Sequence, residues 1–389
     1  MRFLSILRKS IHEQLRDVLV LSLTLAFAPF FVLAYWLWMP SGSTFYNVLV
    51  INKDTGVQLS DGSYFFAGDQ VVEAIDSLTY ANGNPLLRVK LASDRLEAEA
   101  LLRDRAGTAF LVIPEDFSKA LLALREGEPS KTASVTFGGD LTNPYYAVAA
   151  ILTTSAIDSY VHEATGSEPL LLYKEEALGA SAARTEFETY VPGILIFATI
   201  MLIFAASMTV VREVEAGTLR RLQISRMRAW ELLGGITLTQ VILGVIALLL
   251  AFITAIALGF RSQGPLWVAI LVGALTSVAI VGVGMVVASF SNTVARAFVI
   301  ANFPLGLFMF FSGVIYPAAG VPLFTVAGKT IGLYDILPPT HAVVALNKVL
   351  NLGVGFGEVL YELTALLVLS LAYFAVGVWI FQRRHMRVV

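Results

Sequence analysis

Hydrophobic and polar positions follow two regimes along this chain. From Val18 to Met39 no charge interrupts the apolar run, about 22 residues, which at 1.5 Å per residue crosses a hydrocarbon core about 30 Å thick. A signal-peptide core is shorter, about 7–15 residues, and ends at small residues, whereas this run ends in Tyr35, Trp36 and Trp38, so it reads as an anchor. Ahead of it, Arg2, Arg8, Lys9 and Arg16 sit among Phe3, Leu4, Ile6, Leu7, Ile11 and Leu15, the pattern of a basic amphipathic helix on a membrane face. Between residues 41 and 188 the pattern changes to charges every few positions. Strands are predicted near Tyr46–Asn52, Leu87–Leu91, Thr108–Ile113 and Ala133–Phe137, with helices near Asp69–Tyr80, Asp94–Arg103 and Glu115–Glu126 between them and a longer one from Pro144 towards Glu163. Asp94 and Glu97 have capping-box spacing, and Pro114 followed by two acids suits a helix start. This alternation predicts a small α/β domain with a partly parallel sheet.

Further apolar stretches follow near 190–211, 232–260, 266–290, 297–317 and 361–381, each long enough to span. The expected fold is therefore an α-helical integral membrane protein of about six transmembrane helices, with an extracytoplasmic α/β domain inserted between helices 1 and 2. Its expected parts are 1–40 (amphipathic helix and first span), 41–188 (α/β domain) and 189–389 (the remaining spans). Within the last part, 211–232 is charged. Arg220, Arg221, Arg226 and Arg228 would together cost about 10 kcal/mol or more at the bilayer centre, so this segment lies outside it. Leu219, Leu222, Met227 and Trp230 recur there at near-helical spacing, as in a helix lying on a membrane or a partner; a solvated loop is the plainer alternative. Arg2–Arg16, Arg212–Arg228, Arg296 and the tail Arg383, Arg384 and Arg387 fall on one side of the spans. The positive-inside rule makes that side cytoplasmic, with both termini, and the α/β domain extracytoplasmic. Gly313–Asn351 is apolar but broken by Pro317, Pro322, Pro338 and Pro339, which fits re-entrant or surface helices better than a further span, an ordinary loop being the alternative.

Composition agrees: 57% of the 389 residues are hydrophobic and 14% charged, and the mean hydropathy is +0.74, far from a soluble domain. A net charge of −2 leaves no basic field for nucleic acid, and the absence of cysteine removes disulfides, thiolate metal sites and cysteine nucleophiles. Asp54-Thr55-Gly56 resembles the aspartic-protease triplet, but a single copy after an apolar strand reads as a turn. Gly328-Lys329-Thr330 resembles the end of a phosphate-binding loop, yet Leu323 stands where that motif needs glycine and no strand-to-helix context surrounds it. The four histidines, His12, His162, His341 and His385, are too dispersed for a metal cluster. No Asp, Glu, Lys or Arg falls in the central parts of the spans, which weakens a proton-coupled carrier. Thr237, Gln240, Thr254, Asn292 and Asn302, with Pro304 and the run Phe308–Phe311, either line a path or hydrogen-bond between helices, the second being favoured; Asn302, Phe308 and Phe311 are the candidate path residues.

The layout of one anchor, an α/β domain, further spans and a charged segment after the second span resembles the type-2 ABC transporter permeases of the exporter-like class. The resemblance covers nearly the whole chain. It is carried by Glu213–Leu233, similar to an E-x-G-T-L-x-x-L run followed by W-E-L-L, by FFSGVIYP and LPPTHAVVALN after the fifth span, and by the closing YFAVGVWIFQRRHMR. It implies that Glu213, Glu215, Gly217, Thr218, Leu219, Arg220, Arg221 and Leu222 couple the chain to a separate cytoplasmic ATPase, and that two permease copies or homologues form the path. It implies an exporter in the cell (inner) membrane with no catalytic residue and no cofactor of its own, ATP and Mg being bound by the ATPase. It leaves room for a periplasmic adaptor and leaves the substrate open among drugs, lipids and other small molecules. Two positions depart from the family: Arg226 stands where proline is frequent, so the docking helix is expected to run longer, and Gly235 stands where lysine is frequent. The alternative function is a membrane-anchored sensor whose extracytoplasmic domain captures a ligand.

Overall fold

The structure is a computed structural model that describes residues 2–38, 45–80, 83–104, 106–126, 132–141, 143–166, 185–218, 229–316, 321–326 and 329–385. The chain divides into two units, one of Met1–Ser41 with Glu176–Val389 and one of Gly42–Glu175. It opens, in the first unit, with α1 (Arg2–Arg16) and α2 (Val18–Trp38).

The second unit is built on β1 (Tyr46–Asn52), whose residues Val48 to Ile51 are buried in succession, as expected of a strand covered on both faces. β1 pairs in parallel with β4 (Leu87–Leu91) and β5 (Ala109–Ile113), and β5 pairs antiparallel with β6 (Thr136–Gly138), giving the order β4-β1-β5-β6. Leaving β1 for β4 and then crossing back to β5 puts two right-handed crossovers on opposite faces. Accordingly α3 (Ala67–Asp76) packs with Val48 and Val50, whereas α4 (Arg95–Arg103) packs with Leu49, Ile51 and Phe110. α5 (Phe117–Arg125) and α6 (Pro144–Thr165) join the α3 face. The expected strands and helices are present, with shifted ends. α3 stops at Asp76 because the chain turns through Ser77 into a Thr79–Pro85 bridge, and β6 begins at Thr136, opposite Val112. A hairpin of β2 (Val57–Gln58) and β3 (Tyr64–Phe65) was not anticipated; Asp61 closes it by accepting from the Ser63 amide and hydroxyl.

The capping box was expected to pair Asp94 and Glu97. Asp94 does accept from the Glu97 amide at 2.8 Å, but the Glu97 carboxylate reaches one residue further back, to the Ser93 amide (2.7 Å) and hydroxyl.

The first unit continues with α7 (Glu186–Ile200), α8 (Leu202–Glu215), α9 (Ala229–Ala257), α10 (Leu266–Ser289), α11 (Val294–Phe311), α12 (Pro338–Leu346) and α13 (Leu360–His385). Among the described residues five helical stretches are long and apolar enough to cross a membrane: Phe187–Glu215, Trp230–Ala257, Leu266–Ser289, Val294–Phe311 and Phe356–His385. α2 has 21 residues, and within it Thr24–Trp38 counts as a shorter apolar helix. One core joins these helices, from Val32 through Leu195, Ala206, Leu233, Val272 and Ile280 to Leu366 and Phe381. α7 and α8 are separated by a turn at Met201, where the Phe204 amide bonds the Met201 carbonyl at 3.2 Å; the helical ladder tightens there to i→i+3.

Between α11 and α13, β7 (Pro322–Val326) and β8 (Lys329–Gly332) form an antiparallel hairpin, followed by a 3₁₀ turn, α12 and a π turn over Asn347–Asn351. Lys329 and Thr330 thus lie in a hairpin strand, not at a strand-to-helix junction, while Gly328 lies outside the described residues. His341 is buried and hydrogen-bonded to the Asp335 carbonyl at 2.9 Å, a packing residue of α12.

Candidate functional site

The motif residues Glu213, Glu215, Gly217 and Thr218 form the terminus of α8. The helix stops because Gly217 takes φ +66°, a left-handed conformation that glycine adopts without a Cβ clash. The Ala216 and Gly217 amides return to the Arg212 and Val214 carbonyls at 2.9 and 3.1 Å. Thr218 closes the end: its hydroxyl donates to the Glu213 carbonyl at 2.8 Å and to the Glu213 carboxylate.

Two acids at a helix C-terminus oppose the macrodipole and need partners. Glu213 finds one on α1, where Lys9 Nζ donates to Oε1 at 2.7 Å. Burial by itself lowers the Lys9 pKa, but the hydrogen bond and charge of Glu213, with Glu13 adding, leave it above the ordinary 10.5. Glu215 finds the other kind: its Oε2 accepts from the Val294 amide at 3.4 Å, at the positive N-terminus of α11. Arg212 Nη1 donates to Asp17 Oδ2 at 3.1 Å. Deeper in, the Thr209 hydroxyl accepts from Gln14 and Gln240, each at 3.3 Å. α1, α8 and α9 therefore meet in a polar cluster beside a cavity of about 520 Å³ lined by Lys9, Gln14, Asp17, Arg212, Glu213 and Thr218 among others. Leu219, Arg220, Arg221 and Leu222 lie outside the described residues, as do Arg226 and the docking helix expected around it. Glu215, Ala216 and Gly217 are exposed.

The three candidate path residues stand in different surroundings. Phe308 is buried in the helix core. Asn302 is exposed and donates to the Phe298 carbonyl of its own helix at 2.8 Å. Phe311 lies against Tyr334 with ring centroids 5.2 Å apart. The expected interhelical role of the polar span residues needs correction: Thr237 and Thr254, like Asn302, bond carbonyls four residues back on their own helices, which satisfies the side chain locally at no cost in register. Asn292 is exposed ahead of α11. Gln240, through Thr209, does cross between helices.

Sequence reasoning missed two buried acids. Glu188 caps α7 in a capping box with Thr185 and accepts from the Arg261 amide at 3.1 Å; Thr185-x-x-Glu188 was a readable signal. Glu362 pairs with Lys348 at 2.8 Å, with no motif to mark it. Also unforeseen is an apolar cavity of about 470 Å³ beside the Met201 turn, lined by Phe27, Met201, Phe204, Met208, Ala247 and Phe298 among others.

Residues 18–379 match the family model described as ABC-2 family transporter protein. The chain belongs to that family: it is a multi-pass membrane protein, the membrane component of an ABC transporter, not itself the catalytic subunit, and the family works with an ABC ATPase subunit. A search of curated proteins returned no match.

Proposed function

We propose that this chain is the permease subunit of an ATP-driven exporter in the cell membrane, working as a dimer with an ATPase that binds ATP and Mg and contacts the segment after α8. The observation that carries this reading is the terminus of α8, where Glu213 and Glu215 tie a helix end to α1 and α11 while Glu215–Gly217 remain exposed. A push on that end acts on three helices together, which is what converts closure of an ATPase into rearrangement of the spans. The distribution of arginines supports cytoplasmic termini and an extracytoplasmic second unit. The apolar cavity beside Met201 supports a lipophilic substrate, since its lining is methionine, aromatic and aliphatic and methionine adapts to varied apolar shapes.

The test is co-purification of the ATPase with variants at matched membrane abundance, together with ATP turnover. Reversing Arg220 and Arg221 to Glu, or Leu219→Asp, is expected to reduce assembly or stimulated turnover, since like charges at a contact cost several kcal/mol. Asp61→Asn in the second unit is expected to change neither. Full assembly and turnover in both coupling variants overturns the reading.

A further inference from the structure

α1 is amphipathic, but its residues do not all serve one surface. Leu4 and Leu15 are exposed, whereas Ile6 and Ser10 are buried and Gln14 and Asp17 follow them on the same side of the helix at spacings of four and three. That inner side meets the two ends of the segment between α8 and α9. On the α8 flank stand Lys9 to Glu213 at 2.7 Å, Asp17 to Arg212 at 3.1 Å and Gln14 to Thr209 at 3.3 Å. On the α9 flank, Ile6 lies over Gly235: a Cβ on Gly235 would sit 2.6 Å from Ile6 Cγ2 and 3.3 Å from the Leu7 amide nitrogen. A side chain at position 235 would force Ile6 out of this position. The lack of a side chain at Gly235 is thus what admits α1 to this place.

We propose that α1 is a clamp on both flanks of the coupling segment, with Lys9 and Gly235 as its positioning residues, so that the ATPase meets a segment whose two ends are held at fixed separation by the N-terminal helix. This rests on the permease reading above for its functional consequence, but its physical content stands without an ATPase. A segment held at both ends transmits a displacement, whereas one released at either end absorbs it as local rearrangement.

The experiment uses the full chain in lipid nanodiscs. Amide exchange is followed in Leu4–Arg16, in the last turn of α8 and in the first turns of α9, and ATP turnover is measured after adding the partner ATPase. Lys9→Glu sets two acids against each other and is expected to speed exchange in α1 and at the α8 end about tenfold and to lower stimulated turnover without lowering ATPase binding in proportion. The double variant Lys9→Glu/Glu213→Lys restores the pair with reversed sign and is expected to recover both measurements. Gly235→Leu, which wedges α1 off α9, is expected to reproduce the single variant's exchange. Wild-type exchange in both Lys9→Glu and Gly235→Leu overturns the clamp. Faster exchange with undiminished turnover overturns its positioning role and leaves α1 a surface anchor. If the wild-type chain engages no ATPase, the permease reading falls, and the exchange result still supports or overturns the clamp by itself.

Discussion

Gly282 of α10 and Gly377 of α13 bring two backbones into contact: a Cβ on Gly377 would lie 2.4 Å from the Gly282 carbonyl oxygen, and one on Gly282 would lie 2.7 Å from the Phe374 amide nitrogen. Close approach of this kind is how helices gain packing energy where the surrounding solvent is as apolar as their side chains. Gly377→Leu is expected to cost about 3 kcal/mol or more, because neither neighbour is a side-chain tip that can swing aside. Ser370→Ala removes only the hydroxyl that donates to the Leu275 carbonyl at 2.7 Å and is expected to cost about 0.6 kcal/mol, an average interhelical hydrogen bond. Thermal unfolding of the two variants in the same detergent checks the order.

Asp54 is a structural hub. Its carboxylate accepts from the Gly68 amide at 3.0 Å, the Ser118 amide at 3.1 Å, the Gly56 amide at 3.3 Å and the Ser118 hydroxyl, so one charge caps the N-termini of α3 and α5 together. Asp54→Ala is expected to destabilise the second unit by about 3 kcal/mol, given about 1.5–3 for hydrogen bonds to a charged group, and Asp54→Asn by roughly half of that. Denaturant unfolding followed by exchange at Gly68 and Ser118 measures it; wild-type protection at both amides in the alanine variant contradicts the capping role.

The Glu97 carboxyl carries a pH dependence of definite sign. Hydrogen bonds from the Ser93 hydroxyl and amide hold its pKa below the ordinary 4.5, with Lys90 contributing. A depressed folded-state pKa stabilises above the unfolded value and is lost as pH falls through the folded one. Protection of the first turn of α4 is therefore expected to be flat from neutral pH down to about 4.5 and to fall below it, and Glu97→Gln is expected to remove that step while leaving the rest of the acid transition in place. An unchanged step in the glutamine variant assigns it to another group.

Because the chain has no cysteine, single cysteines report orientation cleanly. Ser63, exposed in the β2–β3 hairpin, and Ser5, exposed on α1, suit this test. Ser63→Cys is expected to react with an impermeant maleimide in intact cells and Ser5→Cys only after permeabilisation. The reverse pattern inverts the topology.

How much could be read beforehand follows from the range of each interaction. β1, β4 and β5 were legible because their apolar runs are bounded by polar turns, and α4 and α5 because their N-terminal acids are local signals. The β2–β3 hairpin was not, since two residues per strand carry no periodicity. At the candidate site, the Gly217 stop and the acids before it stood out as a motif, yet the partners that give them meaning did not: Lys9 is 204 residues from Glu213 and Val294 is 79 from Glu215. Gly235 carries no local signal either, because its close neighbour Ile6 is distant in sequence. Arg220 to Arg228 lie outside the described residues, and the structure defines their segment by its two ends.

The tightened turn at Met201 gives the first long span a lever arm. Everything from Leu202 to Glu215 is one uninterrupted helix, about 20 Å long at 1.5 Å per residue. A tilt of roughly 10° about Met201 would carry Glu215 through about 3.5 Å over that length, close to the reach of a single hydrogen bond, while α7 above it stays in register with its neighbours. The same tilt moves Phe204 and Met208, which line the apolar cavity. Gearing of this sort fixes a ratio: Phe204 lies about a fifth and Met208 about half of the way from Met201 to Glu215, so a displacement at the α8 terminus would reach the cavity reduced to about those fractions.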